Sequence, residues 1–343
     1  MRILINKLKN IGDVLLATSA IALVKQKYPD AQITLMTVPR VAPFFENHPL
    51  VDEVLPFSYK SKNSSFFSML KMLKMIKKRN FDISISLDNR LRPLLLTLFA
   101  CIPVRIAGIG MDTPIKIWHR YLYTHKYHIT TQGKEHQSET FMKVVRPYLQ
   151  LAETVSAKPS MPSASNESIT RMHNLLYGKD EKKMNKKVLF CVRGTSPDKN
   201  WPPEYFARVI SEITKKYAVD CYITGAPDDF DYASEVIEEC ECNVKNICGM
   251  THSDDLVALF NCADLLVSVD TGLGHIAATT AIPIISIFRC TNPVQWRPLS
   301  EKSTILCYAD VFSKFGLEPS KEFITHEEIL PLHVIQVIER YIK

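Results

Sequence analysis

The chain has 343 residues, enough for two domains that each bury a core. Hydrophobic residues make up 46% and charged residues 23%, ordinary for a soluble globular protein. The net charge of +6 is mild; it permits attraction to anionic ligands or a membrane face and does not suggest a dedicated nucleic-acid binder, which carries a denser basic stripe.

The first half alternates short apolar runs with helical stretches. Ile3–Ile5 reads as a strand, Val14–Lys27 as a helix, Ile33–Thr37 as a strand and Val54–Leu55 as a further short one. Phe66–Lys78 reads as a helix, Ile83–Leu87 as a strand, Leu91–Ala100 as a helix and Val104–Ala107 as a strand. Strands separated by helices of this size indicate βαβ units and a parallel sheet. Ala152–Lys187 breaks the rhythm with Pro159, Pro162, several serines, one helical stretch and the charged run KDEKKMNKK, a linker composition. The rhythm then resumes: strand Val188–Val192, helix Pro203–Tyr217, strand Val219–Thr224, helices Ala233–Glu239 and Asp254–Cys262, strand Leu265–Val269, helix Gly274–Thr280 and strand Ile284–Phe288. A last helix runs over about Glu327–Tyr341. Two open α/β sheets in tandem give an interdomain cleft, and ligands of such sheets collect at the carboxyl ends of strands.

The nine cysteines contain no CxxC pair, and the loose cluster Cys240, Cys242 and Cys248 fits neither a zinc ribbon nor a redox pair. Cysteines in apolar runs, such as Cys191, Cys221 and Cys262, read as small core residues of a reduced cytosolic protein. Met1–Ile5 is too short for the apolar region of a secretory signal. The longest apolar stretch, Leu94–Val104, falls far below the ~20 residues that span a bilayer.

Chemistry is therefore expected just after strands, and three stretches stand out. In LKNIGDVLLATSAI, Asp13 opens the first helix; it is either an N-cap or a general base within reach of a sugar hydroxyl. In CVRGTSPDKNWPPEYF, a strand ends in Gly194, Thr195 and Ser196, with Lys199 close behind. That set of amides, hydroxyls and one positive charge suits a phosphate, against the alternative of a polar loop with a solvated lysine and Trp201 packed between domains. In SVDTGLGHIAATTAIPIISIF, Asp270 and Thr271 lead into Gly272, Leu273, Gly274 and His275 at a helix start, where amides and glycines favour a close-approaching anion. The alternative for His275 is a core or capping histidine. There is no Walker pattern, and GIGMDT at 108–113 is half of GxGxxG, so a P-loop NTPase or nicotinamide dehydrogenase is disfavoured.

In their order and content these stretches resemble glycosyltransferase family 9, the lipopolysaccharide core heptosyltransferases, through IGDVLLATSAI, DKNWPPEYFARVI and LLVSVDTGLGHIAATTAIPIISIF. The resemblance implies a GT-B fold of class α/β, two Rossmann-like domains with parallel sheets facing an interdomain cleft. It implies an acceptor-binding domain over 1–160, a linker and connecting helix over 161–187, a donor-binding domain over 188–325, and a C-terminal helix over 326–343 that packs back toward the first domain. It also implies an inverting transfer of heptose from ADP-L-glycero-D-manno-heptose to an anionic glycolipid inner-core acceptor, with no metal and no other cofactor. Carried over by position, Asp13 is the base, Thr195, Ser196 and Lys199 hold the diphosphate, and Asp270, Thr271, Gly272, Leu273, Gly274 and His275 line the donor site. Asp228 or Asp229, after Gly225-Ala226-Pro227, meets the adenosine ribose.

Where the family often has Gly-x-Thr-Asp-Pro after the late strand, this chain has Arg289-Cys290-Thr291-Asn292-Pro293, so a guanidinium stands where a glycine is usual. Lys7, Lys9, Arg90, Arg92 and Arg105 are candidates for the acceptor's negative groups, or else a solvated basic surface. In FFSMLKMLKMIKKR, Phe66, Met69, Leu70, Leu73 and Ile76 form one helical face with Lys71, Lys74 and Lys78 roughly opposite, which suits either packing on the sheet or peripheral contact with the cytoplasmic face of a membrane. Two other readings stay open: a GT-B enzyme for another nucleotide sugar, including an epimerase, and a catalytically silent nucleotide-binding protein.

Overall fold

The apolar runs fold as strands that are covered on both faces. In the computed structural model, which describes residues 1–58, 66–88, 90–110, 121–130, 133–178 and 185–343, the chain divides into two units, residues 1–162 and 163–343.

The first unit runs β1 (Arg2–Asn6), α1 (Ile11–Lys27), β2 (Gln32–Thr37), β3 (Glu53–Pro56), α2 (Phe66–Arg79), β4 (Ile83–Ser86), α3 (Leu91–Phe99), β5 (Val104–Ile109), β6 (His125–His128) and α4 (Gln137–Leu149). Its six strands lie in the order β3-β2-β1-β4-β5-β6, every pairing parallel. Helix α1 is buried almost all round, from Val14 to Val24, because the sheet covers one side and α4 another. Ser19 on α1 donates to the Ser138 carbonyl of α4 at 3.3 Å, so even a polar position faces a partner helix. On α2 the packed stripe is Met69, Met72, Leu73 and Ile76. Leu70, expected on that stripe, is exposed beside Lys71, Lys74, Lys77 and Lys78.

The second unit runs α5 (Asn166–Tyr177), β7 (Lys186–Cys191), α6 (Pro203–Lys216), β8 (Val219–Ile223), α7 (Phe230–Glu238), β9 (Lys245–Asn246), α8 (Asp255–Cys262), β10 (Leu265–Val269), α9 (Gly272–Ala277), β11 (Ile284–Phe288), α10 (Pro293–Trp296), β12 (Ser303–Tyr308), α11 (Ala309–Lys314), β13 (Phe323–His326) and α12 (Pro331–Ile342). The strand order is β13-β12-β11-β10-β7-β8-β9, again all parallel. The first strand of each unit lies inside its sheet, and the chain builds outward from it in both directions. The loops after β1 and β4 therefore diverge, as do those after β7 and β10, and such switch points are where open α/β sheets receive ligands.

Several expectations change here. The helix expected in the linker, α5, is part of the second unit: it packs on α8, and Arg171 reaches the buried Asp255 at 2.5 Å. Trp201 packs inside the second unit, not between domains. It is fully buried, edge-on to Phe206, with Nε1 donating to the Ile329 carbonyl at 2.9 Å. The last helix begins at Pro331 rather than near Glu327, since the residue before a proline avoids helical backbone. It packs on α6 and puts Val334, Val337 and Ile338 into the second unit's core.

Candidate functional site

At the β1/β4 switch, the loop after β1 turns inward. Lys7 is 2% exposed; its Nζ donates to the Leu87 carbonyl at 3.3 Å and lies 4.3 Å from the centre of the Phe141 ring. The same Nζ is 3.3 Å from Asp13 Oδ1, and Lys9 Nζ is 3.6 Å from it. Asn10 occupies the cap position of α1, so Asp13 sits in the first helical turn and is not the N-cap. Its Oδ1 is buried with no hydrogen bond, while the side chain keeps 12% exposure. The carboxylate is thus held between two ammonium groups, with Oδ1 shielded from solvent. From the loop after β4, the buried Asp88 accepts from Leu8 N at 3.1 Å and from Arg90 Nε at 2.9 Å. Below it, Tyr123 donates to Ser86 at 3.3 Å, and burial pushes the phenol up to about 12.

Of the basic acceptor candidates, Lys7 and Lys9 are both held against Asp13, and Arg90 is paired with Asp88. Arg92 is exposed at the start of α3. Arg105 is the second residue of β5, at the amino end of the strands and away from the loops that follow them, and donates to the carbonyls of Ile102 and Leu122 at 2.5 and 2.9 Å. It does not belong to this switch point.

At the β7/β10 switch, Lys199 Nζ donates to Asp270 Oδ2 at 2.5 Å, and Thr291 Oγ1 donates to the same oxygen at 2.8 Å. One carboxylate oxygen thus joins the loops after β7, β10 and β11. Thr271 caps α9, accepting from Leu273 N at 3.1 Å, so the helix starts at Gly272, two residues earlier than expected. Gly274 and His275 are buried within it. Thr195 is exposed and Ser196 half-buried at the front of the Lys199 loop. Asn200 Oδ1 accepts from Gly194 N at 2.8 Å. A Cβ on Gly194 would lie 2.7 Å from that of Lys199, which is why a glycine stands there.

The two aspartates after Gly225 differ. Asp229 is taken up by its own turn, accepting from Ala226 N at 2.9 Å and from Arg193 at 3.3 Å. The Asp228 side chain is exposed, and only its backbone carbonyl holds Arg193, at 2.5 Å. Among the described residues no group of three or more His, Cys, Asp or Glu side chains is placed to hold a metal ion. Sequence reasoning took in Gly194 as an amide donor but passed over Asn200 and Thr291 as parts of this cluster. The one available signal was their position just after β7 and β11.

Residues 69–315 match the family model for Glycosyltransferase family 9 (heptosyltransferase). The chain is 27% identical to lipopolysaccharide heptosyltransferase 3 of Escherichia coli strain K12, over 84% of this chain and 83% of that protein. It resembles the crystal structure of the family 9 glycosyl transferase from Veillonella parvula DSM 2008 at a TM-score of 0.84 and 20% identity, covering 99% of this chain and 97% of that one. The structure of E. coli heptosyltransferase WaaC with ADP aligns at a TM-score of 0.74 and 19% identity, over 99% of this chain and 100% of that one. Both likenesses show the fold, which is GT-B.

Burial, opposed by the charge of Asp13, holds Lys7 below the ordinary lysine value of 10.5. Between that lowered value and 10.5 the unfolded chain keeps a proton that the folded chain has released, so stability rises with pH across the window. Lys7→Met is expected to abolish this part of the rise. Urea unfolding of both proteins at roughly pH 7 and roughly pH 10 measures it; an equal rise in the two would show that Lys7 carries no such penalty.

Proposed function

This chain belongs to glycosyltransferase family 9, the heptosyltransferases, and on that premise we propose that it transfers heptose from an ADP-activated donor to a lipopolysaccharide core acceptor. The observation that carries the reading is Lys199 held at the β7/β10 switch, between a Gly-Thr-Ser turn and the capped start of α9. That is a cation among amides and hydroxyls, a suitable cradle for a diphosphate. The ADP seen with WaaC supports an adenine nucleotide as the leaving group.

In this mechanism an acceptor hydroxyl attacks the anomeric carbon of the heptose. The new C–O bond forms as the bond to the diphosphate oxygen breaks on the opposite face, so configuration inverts. Asp13 takes the hydroxyl proton. Lys199, Thr195, Ser196 and Thr271 meet the charge that grows on the departing diphosphate. Asp270 holds Lys199 in place, while Leu273, Gly274 and His275 shape the donor pocket beside Gly272. The ribose hydroxyls fall to Asp228, whose carboxylate is not spent on its own turn. Arg90 and Arg92 lie on the acceptor side. The enzyme works in the cytoplasm, where its nine free thiols stay reduced, and no helix among the described residues is long and apolar enough to cross a membrane.

An assay with ADP-heptose and truncated lipopolysaccharide cores tests the reading directly; turnover confined to a UDP-sugar would replace it with a different donor class. Asp13→Asn is expected to lower kcat by about 10²–10⁴-fold with donor binding little changed, and near-normal turnover would remove Asp13 from the role. Because protein groups meet the leaving charge, activity is expected to survive EDTA; loss on chelation, restored by a divalent ion, would show that a metal shares the work. The exposed lysines of α2, on a helix with no acidic residue, are proposed to rest on the anionic cytoplasmic leaflet. Flotation with anionic but not neutral vesicles is expected, weakened when Lys71, Lys74, Lys77 and Lys78 become Gln; flotation unchanged by those substitutions would discard α2 as the contact.

A further inference from the structure

Arg289 is the residue by which this chain departs from the glycine usual after the late strand, and its contacts lead back to the Lys199 loop. It follows β11, the neighbour of β10, which in turn neighbours β7. Its guanidinium crosses the end of β10: Nη1 donates to the backbone carbonyl of Asn200, in the loop after β7. The arm is braced on its other side, with the guanidinium carbon 5.5 Å from the centre of the Tyr308 ring at the end of β12. Asn200 passes the restraint on, because its Oδ1 accepts from Gly194 N at 2.8 Å and so ties together the two ends of the loop. Lys199 lies within that closed loop, packed against Gly194 and paired with Asp270.

We infer that Arg289 is a positioning residue that straps the Gly194–Asn200 loop and thereby presents Lys199 to the diphosphate. The inference rests on the reading of the β7/β10 switch as the ADP-sugar site. The chemistry explains the residue type. A planar guanidinium stacks on an aromatic face and donates from its edge at the same time, whereas an ammonium keeps the donor but not the stacking geometry. Without the strap, the loop is held from the β10–β11 side by the Lys199–Asp270 pair, a single contact made through the tip of a long side chain to a buried carboxylate. A donor that has to order the loop on arrival binds less tightly than one that finds it ordered.

Calorimetry of ADP binding to the full chain, together with thermal unfolding and donor kinetics, tests this. Arg289→Ala is expected to weaken ADP about tenfold and to raise the donor KM, with kcat at saturating donor and the unfolding temperature close to those of the parent. Arg289→Lys is expected to recover part of the affinity. Asn200→Ala breaks the next link in the same chain, so its loss and that of Arg289→Ala should not add. Parent-like ADP affinity in Arg289→Ala would overturn the strap. So would a fall in affinity matched by a fall in unfolding temperature, which would mark a core role, or additive losses in the double variant, which would mean that Arg289 meets the nucleotide by itself. A parent protein that binds no ADP would instead fail the donor-site reading, and the strap with it.

Discussion

A parallel sheet sends every strand out by the same edge, so a chain that starts in the middle of the sheet has to leave that edge in two directions. Both units obey this constraint, and the chemistry of each follows from it. Around β1 the divergence brings Lys7 and Asp13 from one loop-and-helix start to Asp88 from the loop after β4. Around β7 it brings Lys199 to Asp270, while the next strand outward adds Thr291. No helix or strand supplies these side chains from its middle; all come from the loops or helix starts that follow a strand. The sheets fix where those residues emerge, and the loops are left to choose what they carry.

The two switch points also share a way of holding charge. In each, a lysine from the loop after the first strand is turned onto an aspartate that begins the next structural step. Such pairs offset the cost of partial burial and leave each charge in a defined place, which matters more for a site than the net stability they contribute. The difference between them is instructive. Lys7 is sealed beneath Phe141, with no route to a ligand, so it can act only through Asp13. Lys199 remains half-exposed, with two further protons to offer beyond the one aimed at Asp270.

Much of this plan was legible in the residues. LLVSV and IISIF are buried at every position, as central strands of a parallel sheet are, and read as continuous apolar runs. Less was visible at the sheet edges. The strand HKYH is polar and partly exposed, and QSETFMKVVRPYL carries Pro147 in its last turn, so neither β6 nor α4 announced itself. The loss of α4 had a price for the site: without Phe141 there was no reason to turn Lys7 inward, and a lysine in a polar loop defaults to solvent. Asp13 was recognisable as an acid just past a strand, but its place in the first helical turn depended on where α1 begins. Arg289 was noticed as a departure from the family pattern, yet its partner is a backbone carbonyl 89 residues away, and a carbonyl leaves no mark on the amino-acid alphabet.

Helix α12 has a consequence for the way the molecule is made. Its Val334, Val337, Ile338 and Ile342 complete the apolar layer over α6, and the carbonyl just ahead of it takes the Trp201 indole proton. The second unit therefore cannot seal its interior until a segment some hundred and thirty residues downstream of Trp201 has left the ribosome, whereas the first unit already holds all of its strands by residue 128. Synthesis delivers one finished half and one that waits, open along α6, for its closing helix.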